Sequence, residues 1–108
     1  MPKNTSRADF PDLADLDRMV HEPARLSLMA LLYVLDSADF TFLMNHTGLT
    51  WGNLSTHMSK LEEAGYLAVE KSFKGRRPNT LLRLTPQGRK AFQAYARKMK
   101  QVFKEVSV

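Results

Sequence analysis

The 108-residue chain contains no cysteine, so it fits one domain with a single modest core and excludes disulfides, thiolate catalysis and thiolate metal sites. Its start, MPKNTSRADF, has no apolar segment, and no later run approaches the length of a bilayer crossing, so the sequence predicts a cytoplasmic protein with no membrane contact. The formal charge of +5 hides a division: residues 1–70 hold five Lys/Arg and ten Asp/Glu, whereas residues 71–108 hold eleven Lys/Arg and only Glu105. The resulting positive field over the C-terminal part attracts a polyanion, with nucleic acid the leading candidate. A solvated cationic face, balanced by acidic residues elsewhere in the fold or on a partner chain, is the alternative.

In chain order, residues 1–10 are polar and aperiodic and read as a loose leader. Leu13, Leu16 and Val20, with Met19 alongside, have helical spacing and predict a short helix ending near His21. Pro23 suits the first turn of a second helix, where its missing N–H costs nothing. That helix is apolar around most of its circumference (Leu26, Leu28, Met29, Ala30, Leu31, Leu32, Val34, Leu35) and demands neighbours on several sides before Asp36 and Ser37 close it. Asp39 is placed to cap a short helix from about Thr41 to His46, and Thr47-Gly48 turns the chain.

The next stretch, LTWGNLSTHMSKLEEAG, residues 49–65, has both helix ends marked: Thr50 as N-cap and Gly65 as a left-handed C-terminal cap. Leu54, Met58 and Leu61 make one narrow apolar stripe, and the opposite face is small and polar, with Gly52, Ser55, Thr56, Ser59 and Lys60. A short helix, a tight turn and a longer helix with such a face form a helix-turn-helix pattern. From Tyr66 the period changes to two, predicting a strand through Phe73; a second strand spans Thr80 to Leu84, with the cationic loop KGRRPN, residues 74–79, between them. Thr85 caps and Pro86 opens a long helix to about Val106. Along it Phe92, Tyr95, Met99, Val102 and Val106 step by three, four, three and four residues, the seam of a packed helix pair, on an otherwise strongly basic helix. The fold class this predicts is mainly α with a small β-hairpin: a winged helix-turn-helix with a long C-terminal helix, one domain over residues 1–108.

The segment from Leu49 to Phe92 closely resembles the winged-helix DNA-binding domains of bacterial and archaeal MarR/ArsR-like transcriptional regulators. The shared marks are LTxGNLSxHxxKLExAGY for the recognition helix, GRxPxT for the wing and RLTPxGRxAF for the last strand and helix. In such proteins the recognition helix lies in the major groove and the wing approaches a neighbouring minor groove or its phosphates. The resemblance implies double-stranded DNA as partner, with Trp51, Gly52, Asn53, Ser55, Thr56, Ser59 and Lys60 facing the groove and Lys74, Gly75, Arg76 and Arg77 forming the wing contact. The helix-turn-helix spacing, the basic wing and the seam on the last helix together predict a homodimer on a pseudo-palindromic operator. Leu13, Leu16 and Val20 of the first helix and Phe92, Tyr95, Met99, Val102 and Val106 of the last, residues 86–106, would build the interface.

Competing uses of the same residues stay open on the sequence. Trp51 suits packing over the start of the helix, Asn53 suits a local cap, and His57 suits either a phosphate or a half-buried gap. The seam of the last helix suits its own domain as well as a partner. His21, His46 and His57 fall at no metal-ligand spacing, and neither a Gly-rich phosphate loop nor a nucleophile elbow is present, so no metal, cofactor or enzymatic activity is expected. Nothing in the residues specifies a small-molecule effector. A second reading, from a different class, is a winged helix that binds proteins through its acidic surface and apolar seam, without specific DNA binding.

Overall fold

The computed structural model describes residues 12–107; the expected leader over residues 1–10 lies outside them. The apolar run forms α1 (Pro23–Leu35), started by Pro23 and by the Glu22 carboxylate, which accepts the Arg25 N–H at 2.8 Å. Its circumference is used as its composition demands. Leu28, Met29 and Leu32 are fully buried, and the helix touches both following helices, the sheet and the last helix. It ends at Asp36, whose φ of +69° is rare for a residue with a side chain. The Arg89 guanidinium donates to that carboxylate at 3.1 Å and to the Tyr33 carbonyl at 3.3 Å, while lying over the Tyr33 ring.

The helix expected from Leu13 to His21 is not formed. The segment contains only a single 3-10 turn, Leu13–Asp15, followed by bends and turns. Its aspartates offer the backbone other partners: Asp12 accepts the Ala14 N–H at 3.0 Å and Asp17 the Met19 N–H at 2.9 Å, so each starts a new local turn instead of continuing a helix. Asp17 also accepts from the Tyr66 hydroxyl, which ties this segment to the middle of the chain. Burial, and then the Asp17 carboxylate, push the Tyr66 hydroxyl up to about 12, so it stays a donor.

The sheet has three strands where the sequence predicted two. The short β1 (Ser37–Asp39) pairs with β3 (Arg77–Leu84), which pairs in turn with β2 (Leu67–Lys74), giving the antiparallel order β1-β3-β2. Three residues without apolar alternation carry no strand signal. The loop expected over residues 74–79 is also shorter than predicted. Both strands run on to the pair Lys74–Arg77, leaving Gly75 and Arg76 as a two-residue turn. Gly75 has φ +66° and Arg76 does not share the positive sign, the pattern of a type II′ hairpin turn, which needs glycine first.

Between these strands lie α2 (Phe40–Thr47), capped by Asp39, and α3 (Trp51–Glu63). The chain leaves α3 through a Schellman motif: Gly65, at φ +83°, donates to Glu62 and Tyr66 donates to Leu61. The last helix, α4 (Pro86–Glu105), then docks on that exit. Thr85 caps it and donates its hydroxyl to the Gly65 carbonyl at 2.6 Å. Gly88 lies so close to Tyr66 that a methyl group there would run into the Tyr66 carbonyl. Val20, Leu43, Leu54, Leu61 and Leu82 join the three buried residues of α1 in a core between the helices and one face of the sheet. The molecule is elongated, 67 × 24 × 21 Å.

Candidate nucleic-acid interface

The α3 helix is anchored from beneath and open above. Leu54 and Leu61 are fully buried and Met58 packs against the core, while Gly52, Asn53, Thr56, Ser59 and Lys60 are exposed and Ser55 is half-buried. Its first turn is fixed by the Thr50 hydroxyl, which accepts the Asn53 N–H at 3.1 Å. The backbone of Asn53 is thus part of the cap, and its side chain is carried on the open face. Glu62 and Glu63 are exposed at the other end, so only the first two turns of α3 offer a surface without acidic groups. Trp51 is 66% exposed, its ring 5.7 Å from that of Phe40 in a tilted contact. It packs over the start of the helix and still presents most of its surface outward.

His57 is drawn into the domain. Its Nδ1 lies 3.2 Å from Arg25 Nη1 and 3.9 Å from the Glu22 carboxylate. A guanidinium only donates, so Nδ1 accepts. Arg25 is itself held by the Met19 carbonyl at 2.7 Å. Burial raises the Glu22 carboxyl, but the Arg25 N–H and the Arg25 charge act against it and hold the group below its ordinary value. The cluster therefore braces α3 against α1 from behind the open face.

A shallow groove separates α3 from the hairpin, lined by Phe40, Thr41, Trp51, Ser55 and Met58 on one side and Lys71, Pro78, Asn79 and Thr80 on the other. The register explains which hairpin residues reach it. Leu67, Val69, Lys71 and Phe73 share one face of β2 with Leu84, Leu82, Thr80 and Pro78 opposite on β3. The inner residues of this face are core; the outer ones continue past the core toward the tip. Lys71 therefore stands on the α3 side, although the sequence reading did not select it; counting by twos from Leu67 identifies it. Lys74 and Arg77 take the other face, and Lys74 reaches the Asp39 carboxylate at 3.4 Å while remaining largely exposed. Gly75 and Arg76 form the tip. The four cations Lys71, Lys74, Arg76 and Arg77 thus surround an end of the hairpin in which every residue from Glu70 to Pro78 is exposed.

The residues selected for a subunit interface fall into two groups. Val20 and Tyr95 are buried within the chain and leave almost no surface for a partner. Tyr95 donates or accepts with His21 Nδ1 at 2.7 Å, and its burial raises its hydroxyl above the ordinary tyrosine value. Leu16, Phe92 and Met99 pack against the same core, with Phe92 5.2 Å from the Tyr33 ring. The first half of the α4 seam thus lies on its own domain. Leu13 and Val106 remain exposed, with Val102 half-buried beside Phe103, an exposed aromatic that strict three-four spacing passes over.

Residues 24–103 match the family model of the winged helix DNA-binding domain. The chain belongs to the winged-helix DNA-binding domain family. The domain that this family model describes is a DNA-binding one. A winged-helix chain of this kind also has a relative in an uncharacterized protein of Methanocaldococcus jannaschii, 35% identical over 89 residues that cover 82% of this chain and 97% of that protein. The winged-helix fold matches the structure of a transcriptional regulator homologue from Pyrococcus horikoshii at a TM-score of 0.81 and 23% identity, covering 100% of both chains. A MarR-family transcriptional regulator from Silicibacter pomeroyi shares the fold at a TM-score of 0.60 and 17% identity, over 95% of this chain and 65% of that one. Among the described residues no helix is long and apolar enough to cross a membrane.

Proposed function

We propose that this winged-helix chain is a sequence-specific transcriptional regulator that binds a pseudo-palindromic operator as a homodimer. The observation that carries the reading is the groove itself: a small, polar, open helix face on one side and a cation-ringed hairpin on the other. In this reading the first two turns of α3 enter the major groove, where Asn53 suits an adenine edge and Ser55, Thr56 and Ser59 suit phosphates or bases. Lys60 and the α3 N-terminus favour phosphate, while Glu62 and Glu63 keep the far end of the helix out. The hairpin is the wing, with Arg76 at its tip and Lys71, Lys74 and Arg77 beside it. Guanidinium groups suit phosphate oxygens and narrow minor grooves.

The dimer is supported by the free end of α4, where Val102, Phe103 and Val106 leave apolar surface uncovered. Two copies joined there carry two α3 helices, and a spacing of about 34 Å, one DNA turn, sets the half-sites. The test is a salt titration of duplex binding. Replacing Arg76 and Arg77 by Ala weakens all sequences alike and lowers the slope of log K against log salt by up to about two units. An unchanged slope means that the wing does not contact DNA.

A further inference from the structure

The wing carries one large apolar side chain, Phe73, which is 73% exposed near its tip. A single exposed hydrophobic residue is ordinary on a protein surface. Three features set this one apart. First, it faces Pro78 directly across the hairpin. Lys74 and Arg77 flank the two-residue turn as a hydrogen-bonded pair, so Phe73 and Pro78 form the next, non-hydrogen-bonded pair, in which side chains approach most closely. This register also turns the ring nitrogen of Pro78 toward the edge of β3 that β1, ending at the pair Asp39–Leu81, leaves open, so its missing N–H costs no ladder bond.

Second, the pair lies on the face of the hairpin that continues from the core, the same face that carries Lys71 and Thr80 along the α3 groove. It therefore points to the side on which α3 presents its open surface. Third, the cations Lys71, Lys74, Arg76 and Arg77 lie within three residues of Phe73 or of Pro78. A protein partner offering an apolar socket gains little from four cations at its rim, whereas a duplex gains from both, because phosphates line a groove whose sugar walls and, at an opened step, base faces are apolar.

We infer that Phe73 and Pro78 form an apolar wedge with which the wing enters the minor groove of bound DNA, against the sugars and into a base step. The inference rests on the DNA-binding reading of the wing and adds a deformation of the duplex to it. Apolar wedges of this kind partly unstack a step and kink the helix toward the major groove, here toward α3. Flexible pyrimidine–purine steps at the wing position are then preferred without any hydrogen bond to their bases.

The test uses the full chain and a duplex enriched from a random-core pool, labelled at both ends so that energy transfer reports its bend. Phe73→Ser lowers affinity by about tenfold, in line with losing part of a buried aromatic surface, and relaxes the bend. The salt slope stays the same because no cation is removed. Phe73→Leu retains most of both. Thermal melts of the variants stay close to that of the parent, since the side chain is 73% exposed and lies outside the core, with Pro78 facing it across the hairpin. Parental affinity and bend in Phe73→Ser, together with a normal salt slope, overturn the wedge while leaving the wing as a phosphate contact. A change in the sedimentation mass of Phe73→Ser also overturns it, because the pair then serves a contact between proteins. Loss of the wing reading appears separately, as a salt slope indifferent to Arg76 and Arg77.

Discussion

Gly52 stands in the first turn of α3, on its outward face, with nothing within 4 Å of where a Cβ would be. Within the chain, nothing requires glycine there, and a helical glycine is less stable than alanine by up to about 1 kcal/mol. In the proposed reading the bare backbone lets the duplex approach this face closely. Gly52→Ala accordingly raises the stability of the free protein by about 0.5 kcal/mol and weakens DNA binding. Paired denaturation and anisotropy titrations check both signs, and parental affinity in a stabilised variant means that this face does not approach the duplex. At this scale the open face of α3 was legible in the sequence because a 3.6-residue period separates Leu54, Met58 and Leu61 from their polar neighbours. The role of His57 was not: its partners Glu22 and Arg25 lie more than thirty residues away, and no local spacing announces them.

Among the elements, α2 depends most visibly on one carboxylate. Asp39 ends β1 and caps α2, accepting the Phe42 N–H at 2.7 Å, and its second oxygen meets Lys74 from the wing at 3.4 Å. The Phe42 N–H holds the carboxyl below its ordinary value of 3.8 against a smaller opposing effect of burial, and Lys74 adds to the depression. A depressed carboxylate stabilises the fold fully above the unfolded value, and this contribution is lost as the pH falls through the lower folded value. Asp39→Ala therefore costs about 1 kcal/mol at neutral pH. Asp39→Asn keeps an acceptor for the cap and costs less, and the difference between it and the parent narrows as the pH falls below 3.8. Urea denaturation at pH 7 and pH 3 measures this, and a gap that stays constant between the two excludes the charge as its cause.

The element order was legible because capping residues, proline positions and the change of period near Tyr66 all agree. The first helix and the third strand were not. Of Leu13, Leu16 and Val20 only the last two turn inward, and they do so from a turn segment and not a helix, since Asp12 and Asp17 divert its backbone. Strand β1 exists only because β3 pairs with it, a non-local condition that three residues cannot encode.

For the whole molecule, the opposed charge of the two halves of the sequence becomes a basic wing and last helix on a body that carries most of the acidic groups. The long α4 spends Phe92, Tyr95 and Met99 on that body and leaves Val102, Phe103 and Val106 beyond it, so the surface available to a second copy is smaller and nearer the C-terminus than the full seam suggested. Replacing Phe103 and Val106 by Glu then yields a single-chain sedimentation mass with an unaltered fold. The most direct measurement for the account as a whole is anisotropy of the purified protein with a random-core duplex pool, titrated at several salt concentrations, with the bound fraction sequenced. The account predicts steep salt dependence and an enriched inverted repeat with half-sites about one DNA turn apart, reduced to a single half-site by the Glu variant. Weak, sequence-blind binding that vanishes near physiological salt contradicts it and makes the acidic surface and the α4 seam sites for protein partners.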